Sequence, residues 1–273
     1  MHISVLPYEI KNLVKNLNNP VTSIDFTFGA GGHTKIILDN CSTNLIALDR
    51  DITTTKFAHE IKKIYGDRFN FYVDISHKLS MYTSSADFIL GDLGLSQMQL
   101  RDPRGFSYKD NSDLDMQMGI ESLGSLSNFL KTLSEYKIGE ILREYGEEPQ
   151  WRKIANSIIR HKRCIHTTTD LKDIIGGIVK KDLNKALSRC FQAFRIFINQ
   201  ELLVLDKTLT IAYEILNKGG VLAIITFHSL EDRIVKTFFK KYLIDLQLIY
   251  PTEEEIINNP SSRSAKLRIG TKP

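Results

Sequence analysis

Three glycines, Gly29, Gly31 and Gly32, follow directly on the short apolar run Thr22–Phe28 and precede the helical stretch Thr34–Asp39. Glycine lets a chain turn sharply and lets its backbone approach a ligand closely. A strand, a glycine loop and a helix in that order constrain this chain more than any other feature. They predict an α/β fold with a nucleoside-type ligand at the strand ends. The neighbouring segments agree. Asn44–Leu48 reads as a second strand ending at Asp49, and Thr53–Tyr65 as a helix. Phe69–Val73 reads as a third strand, and Ala86–Leu90 as a fourth that ends at Gly91-Asp92-Leu93-Gly94. Strands alternating with helices predict a parallel sheet covered by those helices. Ligands of such sheets sit at the carboxyl ends of the strands. That directs attention to Asp25 through His33 and to Asp49, Asp74 and Asp92.

The alternation then stops. Residues 101–118 are polar and read as loop. Helical periodicity follows over Ser125–Thr132, Ser134–Tyr145, Gln150–His161 and Thr169–Val179, with no strand between them. One long helix is predicted over Phe191–Leu216, then a strand over Val221–Phe227 and a helix over Leu230–Tyr242. The expected organisation is one discontinuous α/β domain, residues 1–108 and 190–273. An all-α insertion, residues 109–189, interrupts it between strands four and five. A length of 273 residues suits such a pair of units. A composition of 42% hydrophobic and 25% charged residues excludes disordered and collagen-like classes. No apolar run reaches the ~20 residues of a bilayer span, and the opening residues make a poor signal peptide. Three widely spaced cysteines, Cys41, Cys164 and Cys190, argue against a disulfide scaffold and predict a cytoplasmic location.

Charge is unevenly spread. Trp151–Asn199 holds eleven Lys/Arg and three Asp, a net of +8, which leaves −4 for the rest of a +4 chain. A concentration of this kind suits a polyanion, and a solvated helix surface is the plain alternative.

The glycine loop admits two cofactor classes. A nicotinamide dehydrogenase needs Gly-x-Gly-x-x-Gly, and here the sixth position is Thr34. S-adenosylmethionine-dependent methyltransferases typically carry an acidic residue, three intervening residues and then Gly-x-Gly. Asp25 and Gly29-Ala30-Gly31 have that form. Asp49, placed at the end of the next strand, is positioned to accept both ribose hydroxyls. Asp74 is a candidate for the adenine amino group or for a turn cap. Asp92 ends the fourth strand, where a buried carboxylate is costly without a partner, so it is a candidate catalytic residue.

These motifs and several longer strings together resemble the bacterial 16S rRNA cytosine-N4 methyltransferases of the small ribosomal subunit. The matching stretches are His2-x-x-Val5-Leu6, DFTFGAGGHT (25–34), LIALDRD (45–51), DFILGDLGLS (87–96), RGFSY (104–108) and LDMQM (114–118). EILREYGEE (140–148), RCFQAFRIFINQEL (189–202), GGVLAIITFHSLEDRIVK (219–236) and NPSSRSAKLR (259–268) complete the set. The resemblance implies a class I, Rossmann-like methyltransferase fold with a helical insertion. It implies methyl transfer from S-adenosylmethionine to the exocyclic N4 of one cytidine in the decoding region. Carried over by motif, cofactor contacts fall on Gly31, Gly32, His33, Asp49, Asp92 and Gln99, beside Gly29 and Asp74 from the loop reading. The family's aromatic contact after the third strand falls on Ser76 here. Gln99 stands in Ser96-Gln97-Met98-Gln99, where the family has Ser-Ser-Pro-Gln.

His228, just past the fifth strand, is the second catalytic candidate, to orient the base or receive a proton. Ser229 as a helix N-cap is the structural alternative. Adjacent His228 and Ser229 do not make a hydrolase triad by themselves. Phe106 is a candidate to stack on a flipped base, or an ordinary core residue. Arg152, Lys153, Arg160, Lys162, Arg163, Lys180, Lys181 and Arg189 are candidate phosphate contacts, joined by Arg263, Lys266 and Arg268. His161, Cys164 and His166 lack a second pair at zinc spacing, so no metal is expected. The expected partners are 16S rRNA within the small subunit and, as an open alternative, a second copy of the chain. A methyltransferase for another RNA or DNA base and an inactive RNA-binding homologue are the competing readings.

Overall fold

The computed structural model describes residues 4–273; His2 of the N-terminal motif lies outside them. The chain runs α1 (Pro7–Lys15), β1 (Thr22–Asp25), α2 (Gly32–Asn40), β2 (Asn44–Asp49), α3 (Thr55–Tyr65), β3 (Phe69–Val73) and β4 (Ala86–Asp92). Helices follow: α4 (Gln97–Leu100), α5 (Leu126–Thr132), α6 (Glu135–Glu144), α7 (Trp151–His161), α8 (Thr168–Ile178) and α9 (Leu183–Asn199). Then come α10 (Glu201–Ile215), β5 (Leu216–Thr226), α11 (Ser229–Tyr242), β6 (Ile244–Ile249), α12 (Glu253–Asn258) and β7 (Lys266–Thr271).

The sheet unit comprises the residues up to Gly94 and Leu202–Pro273. Its seven strands run in the order β3-β2-β1-β4-β5-β7-β6. β1 to β5 pair in parallel, and β7 pairs antiparallel to both β5 and β6. Strand periodicity divides the apolar residues between two cores. Phe88, Leu90, Ala223 and Ile225 face α1, α2 and α3 through Ile10, Ile37 and Ile61. Ile24, Ile89 and Ile224 face α10 and α11 through Leu209, Ala212, Val235 and Phe239. Chain order reverses between β1 and β4, which is where open α/β sheets leave a crevice. This is the α/β class I arrangement that the resemblance implied.

The helical unit comprises Leu95–Glu201. The units divide after Gly94 and Glu201, which corrects the boundaries at 108/109 and 189/190. The reason is packing: Phe106 and Leu114 at one end, and Cys190, Phe191, Phe194 and Ile198 at the other, belong to the helical core. The predicted helix over residues 191–216 is also corrected, because it is two helices. Gln200 takes a left-handed φ of 51° between α9 and α10. Asn199, fully buried, holds that corner: its Oδ1 accepts from Met118 N–H at 2.8 Å and its Nδ2 donates to Met116 O at 2.8 Å. Among the described residues, no helix is long and apolar enough to cross a membrane.

Candidate active site

The strand ends bring Gly29 to Asp49 and Thr27 to Asp92, two of the strand-end positions singled out in the sequence. Gly29 has φ +56°, and its N–H donates to Asp49 Oδ2 at 2.7 Å. Asp51 N–H donates to Asp49 Oδ1 at 2.9 Å. Asp49, at the end of β2, therefore fixes the loop that follows β1. A side chain at Gly29 would meet only the Thr27 carbonyl oxygen, at 3.9 Å, so that side of the loop is open. At Gly31, φ is +75° and a Cβ would run into Ile61 and Phe28. The loop thus packs on α3 by one side and leaves backbone bare on the other. α2 starts at Gly32 with no side chain capping its first amides. Burial pushes Asp49 up to about 7, against the pull of its two backbone hydrogen bonds.

Asp25 is 1% exposed and accepts from Thr34 Oγ1 at 2.7 Å and from Thr27 N–H at 3.2 Å. It ties the end of β1 to the start of α2. Burial pushes its carboxyl up, opposed chiefly by His33.

Asp92 ends β4. Its N–H donates to Thr27 Oγ1 at 2.6 Å, which joins the ends of β4 and β1. Its Oδ2 lies 3.4 Å from His33 Nδ1, and its Oδ1 is buried without a hydrogen-bond partner. Burial pushes this carboxyl up to about 6, opposed by His33 and reinforced by Asp25 and Glu231. His33 is 5% exposed, and its Nε2 lies 2.8 Å from Val5 O. The N-terminal segment is held there by Leu6 N–H, which donates to Glu255 Oε1 at 2.7 Å. Val5 and Glu255 carry no catalytic signature in sequence, although Val5 stands in the N-terminal motif.

His228 caps α11: its Nδ1 accepts from Glu231 N–H at 3.4 Å, while Glu231 Oε2 accepts from Phe227 N–H at 3.0 Å. The cap is thus His228 and not Ser229. Its Nε2 is 3.0 Å from Glu231 Oε1, without the angle of a hydrogen bond. A neutral ring that accepts at Nδ1 carries its hydrogen on Nε2. To receive a proton, His228 would have to give up the cap.

Other predicted residues are engaged by the protein itself. Asp74 accepts from Ile75 N–H, Lys78 Nζ and Tyr82 Oη at 2.8, 3.0 and 2.7 Å, the capping alternative rather than an open carboxylate. Ser76 Oγ pairs with Thr208 Oγ1 at 2.8 Å. Gln99 lies in the helical unit and forms a capping box with Ser96, its Oε1 accepting from Ser96 N–H at 3.0 Å.

The basic candidates separate by environment. Arg152, Lys153, Arg160, Arg163, Lys180 and Lys181 are exposed, Lys162 partly so. Arg152 and Arg160 lie on α7 and Arg163 in the turn after it. Arg189 is committed to Glu148, with Nε and Nη2 on one oxygen at 2.9 and 2.6 Å. Lys266 and Arg268 converge on Asp232 at 3.1 and 2.7 Å, while Arg263 is exposed. Arg189, Lys266 and Arg268 thus each neutralise a carboxylate within their own unit. Phe106 is 6% exposed inside the helical core with Arg104 over its ring, so it presents no face to a base.

Known proteins share this chain's sequence over nearly its whole length. A protein of Ehrlichia canis is 38% identical over 294 residues, covering 98% of both chains. One of Wolbachia from Drosophila simulans is 39% identical over 286 residues, covering 98% of this chain and 97% of the relative. One of Orientia tsutsugamushi is 36% identical over 308 residues, covering 100% and 98%. Each is named ribosomal RNA small subunit methyltransferase H. Residues 1–248 match the MraW methylase family. Sheet order, glycine loop and full-length similarity converge: the chain belongs to the MraW methylase family.

Proposed function

We propose that this methyltransferase transfers a methyl group to the exocyclic N4 of a cytidine in 16S rRNA, in the decoding region of the small ribosomal subunit. S-adenosylmethionine is the cofactor, and when bound it supplies an electrophilic methyl group on a sulfonium sulfur. The residues present fit it. The open side of Gly29, the uncapped start of α2 and the Asp49 carboxylate form a backbone cradle with an acceptor for ribose hydroxyls. Each Asp49 oxygen accepts one backbone hydrogen bond and keeps a lone pair for a hydroxyl.

The observation that carries the reading is Asp92 Oδ1, a buried carboxylate oxygen without a protein partner beside that cradle. The cytosine amine is a weak nucleophile because its lone pair is delocalised into the ring. An acceptor for an amine hydrogen draws that lone pair back onto nitrogen. Asp92, held at about 6, is ionised at neutral pH and can accept the hydrogen bond and then the proton. Orientation of amine and methyl group supplies the rest, up to ~7–11 kcal/mol. His228 supports the turn after β5 through its cap.

The rRNA substrate follows the names of the relatives. The exposed arginines on and after α7 supply charge for its phosphates. Assembly with a second copy is part of the proposal. It is supported by the open edge of β6, where Ile244, Leu246 and Leu248 are exposed, since unpaired edges template strand pairing. A cytoplasmic location is supported by the free state of Cys41, Cys164 and Cys190. The test is methylation of purified small subunits with labelled S-adenosylmethionine, mapped by nucleoside mass spectrometry. Label at N4 of one cytidine is expected. Label on another base, on naked DNA only, or none at all overturns the proposal.

A further inference from the structure

Both ring nitrogens of His33 face hydrogen-bond acceptors. Val5 O is a carbonyl and can only accept, so Nε2, at 2.8 Å from it, carries a hydrogen. In a neutral ring Nδ1 is then a bare lone pair. It lies 3.4 Å from Asp92 Oδ2. A lone pair and a carboxylate oxygen repel each other unless a proton lies between them. The ring is 5% exposed, so solvent does little to relieve that repulsion. Among the described residues, the other charged groups that act on the pair are acidic. Asp25 of β1 and Glu231 of α11 face Asp92, while Asp25 and Glu255 of α12 face His33. The geometry therefore calls for a hydrogen between Nδ1 and Oδ2.

We infer that His33 is a positioning residue for methyl transfer: anchored on Val5 O, it holds Asp92 by Oδ2, keeps it ionised, and leaves Oδ1 as the oxygen open to the acceptor amine. The inference rests on the assignment of Asp92 above and assigns a task to a ring that the resemblance gave only as a cofactor contact. The N4 lone pair forms the nitrogen–carbon bond as the carbon–sulfur bond breaks and its pair stays on sulfur. The positive charge left on N4 is discharged by passing one proton to Asp92 Oδ1. His33 keeps its own proton throughout, and the proton on Asp92 leaves to water before the next turnover. The N-terminal segment thereby takes part, because Val5 supplies the anchor and Leu6 fastens that segment to Glu255.

The test uses the full chain, wild type against His33→Ala and His33→Asn. The asparagine amide occupies the place of Nδ1 and donates to Oδ2 without titrating. The first readout is a carbon-13 titration of the Asp92 carboxyl in ligand-free protein, assigned with Asp92→Asn. In wild type, the Asp92 carboxyl is expected to titrate at about 6, with the nitrogen-15 spectrum of His33 showing hydrogen on Nε2. In His33→Ala, Asp92 is expected to titrate in one step, about 1–3 pH units higher. The acid limb of the single-turnover rate profile is expected to move with it. His33→Asn is expected to regain about tenfold of the lost rate, the worth of one hydrogen bond to a charged group, with a single Asp92 step below that of His33→Ala. Affinity for S-adenosylhomocysteine, measured alongside, separates a cofactor contact from this role. Identical Asp92 titrations in all three proteins overturn the inference, even if activity falls. If His33→Ala does not fold, an Asp92 titration in His33→Asn equal to wild type overturns it alone. Failure to methylate cytosine N4 overturns the proposed function and leaves the titration standing as its own result.

Discussion

Thr27 Oγ1 accepts the backbone N–H of Asp92 at 2.6 Å, so the loop after β1 and the end of β4 are fastened by one hydroxyl. Replacing it by the isosteric valine leaves that amide without its acceptor. Thr27→Val is expected to cost about 1–3 kcal/mol of stability and to lower methyl transfer, because the carboxylate rides on the amide. Thr27→Ser keeps the hydroxyl and is expected to stay near wild type. Urea unfolding of the three proteins checks this; equal midpoints for valine and wild type would count against it.

Asp92→Ala removes the buried acceptor while the Asp49 cradle stays in place. Methyl transfer is expected to fall by about 10²–10⁴-fold, with S-adenosylhomocysteine affinity changed by less than about tenfold. Calorimetry and single-turnover rates measure the two separately. Near-normal transfer would remove Asp92 from the chemistry.

Stability of the ligand-free chain is expected to fall as pH rises toward neutral. Burial holds Asp49 at about 7 and Asp92 at about 6, against an ordinary 3.8. The folded chain therefore keeps protons that the unfolded chain has released. Their contribution is full below pH 3.8 and lost as pH rises through about 6 and about 7. Asp74 and Asp232 run the other way: despite burial, their hydrogen bonds hold them low, so their contribution is present above 3.8 and is lost as pH falls below it. Unfolding free energy measured between about pH 5 and about pH 8 should decline, and Asp92→Asn should flatten the decline. A rising curve would contradict the assignment.

The basic residues predict two distinct phenotypes. Neutralising Arg152, Arg160 and Arg163 together is expected to cost no more than about 0.5–1 kcal/mol of stability, from the Arg152 stack on Trp151, and to reduce the salt slope of rRNA binding by about 0.7 for each phosphate no longer neutralised. Arg189→Ala is expected to destabilise by about 2–3 kcal/mol, since it strands a buried glutamate; the partial exposure of Arg189 discounts it from a fully buried pair. Its partner Glu148 is 2% exposed. Filter binding across salt concentrations and thermal unfolding distinguish the two, and an unchanged slope in the triple variant would dismiss α7 as the RNA-binding face.

β1 to β4 were legible because each is a short apolar run closed by a glycine or an aspartate, and β5 because Gly219-Gly220 precede its apolar run. β6 and β7 were not. β6 is exposed along most of its length, and β7, Lys266–Thr271, offers only two large apolar residues, Leu267 and Ile269. The break at Gln200 carried no signal either, because neither proline nor glycine marks it; it is imposed by the bonds of Asn199. Within the site, Asp49 and Asp92 could be placed from strand ends alone. The coupling of His33 to Val5 could not, since it joins residues 28 apart through a backbone carbonyl that looks alike in every sequence. Charge counting found the basic segment but could not separate the exposed Arg160 from the committed Arg189, which takes knowledge of where Glu148 is buried.

The helical unit lies in sequence between β4 and β5, two strands that pair along their length. During synthesis β4 is therefore made long before its neighbour. At roughly 5–20 residues per second, the growing chain carries an unpaired apolar strand edge for many seconds. The helices made in that interval close mainly local contacts and can fold first. Completion of the sheet, and with it the pairing of Asp92 with Ile225, then waits for the last third of the chain. Such a nascent chain is exposed to edge-to-edge association until β5 arrives, so its yield should depend on holdase chaperones more than its finished fold would suggest.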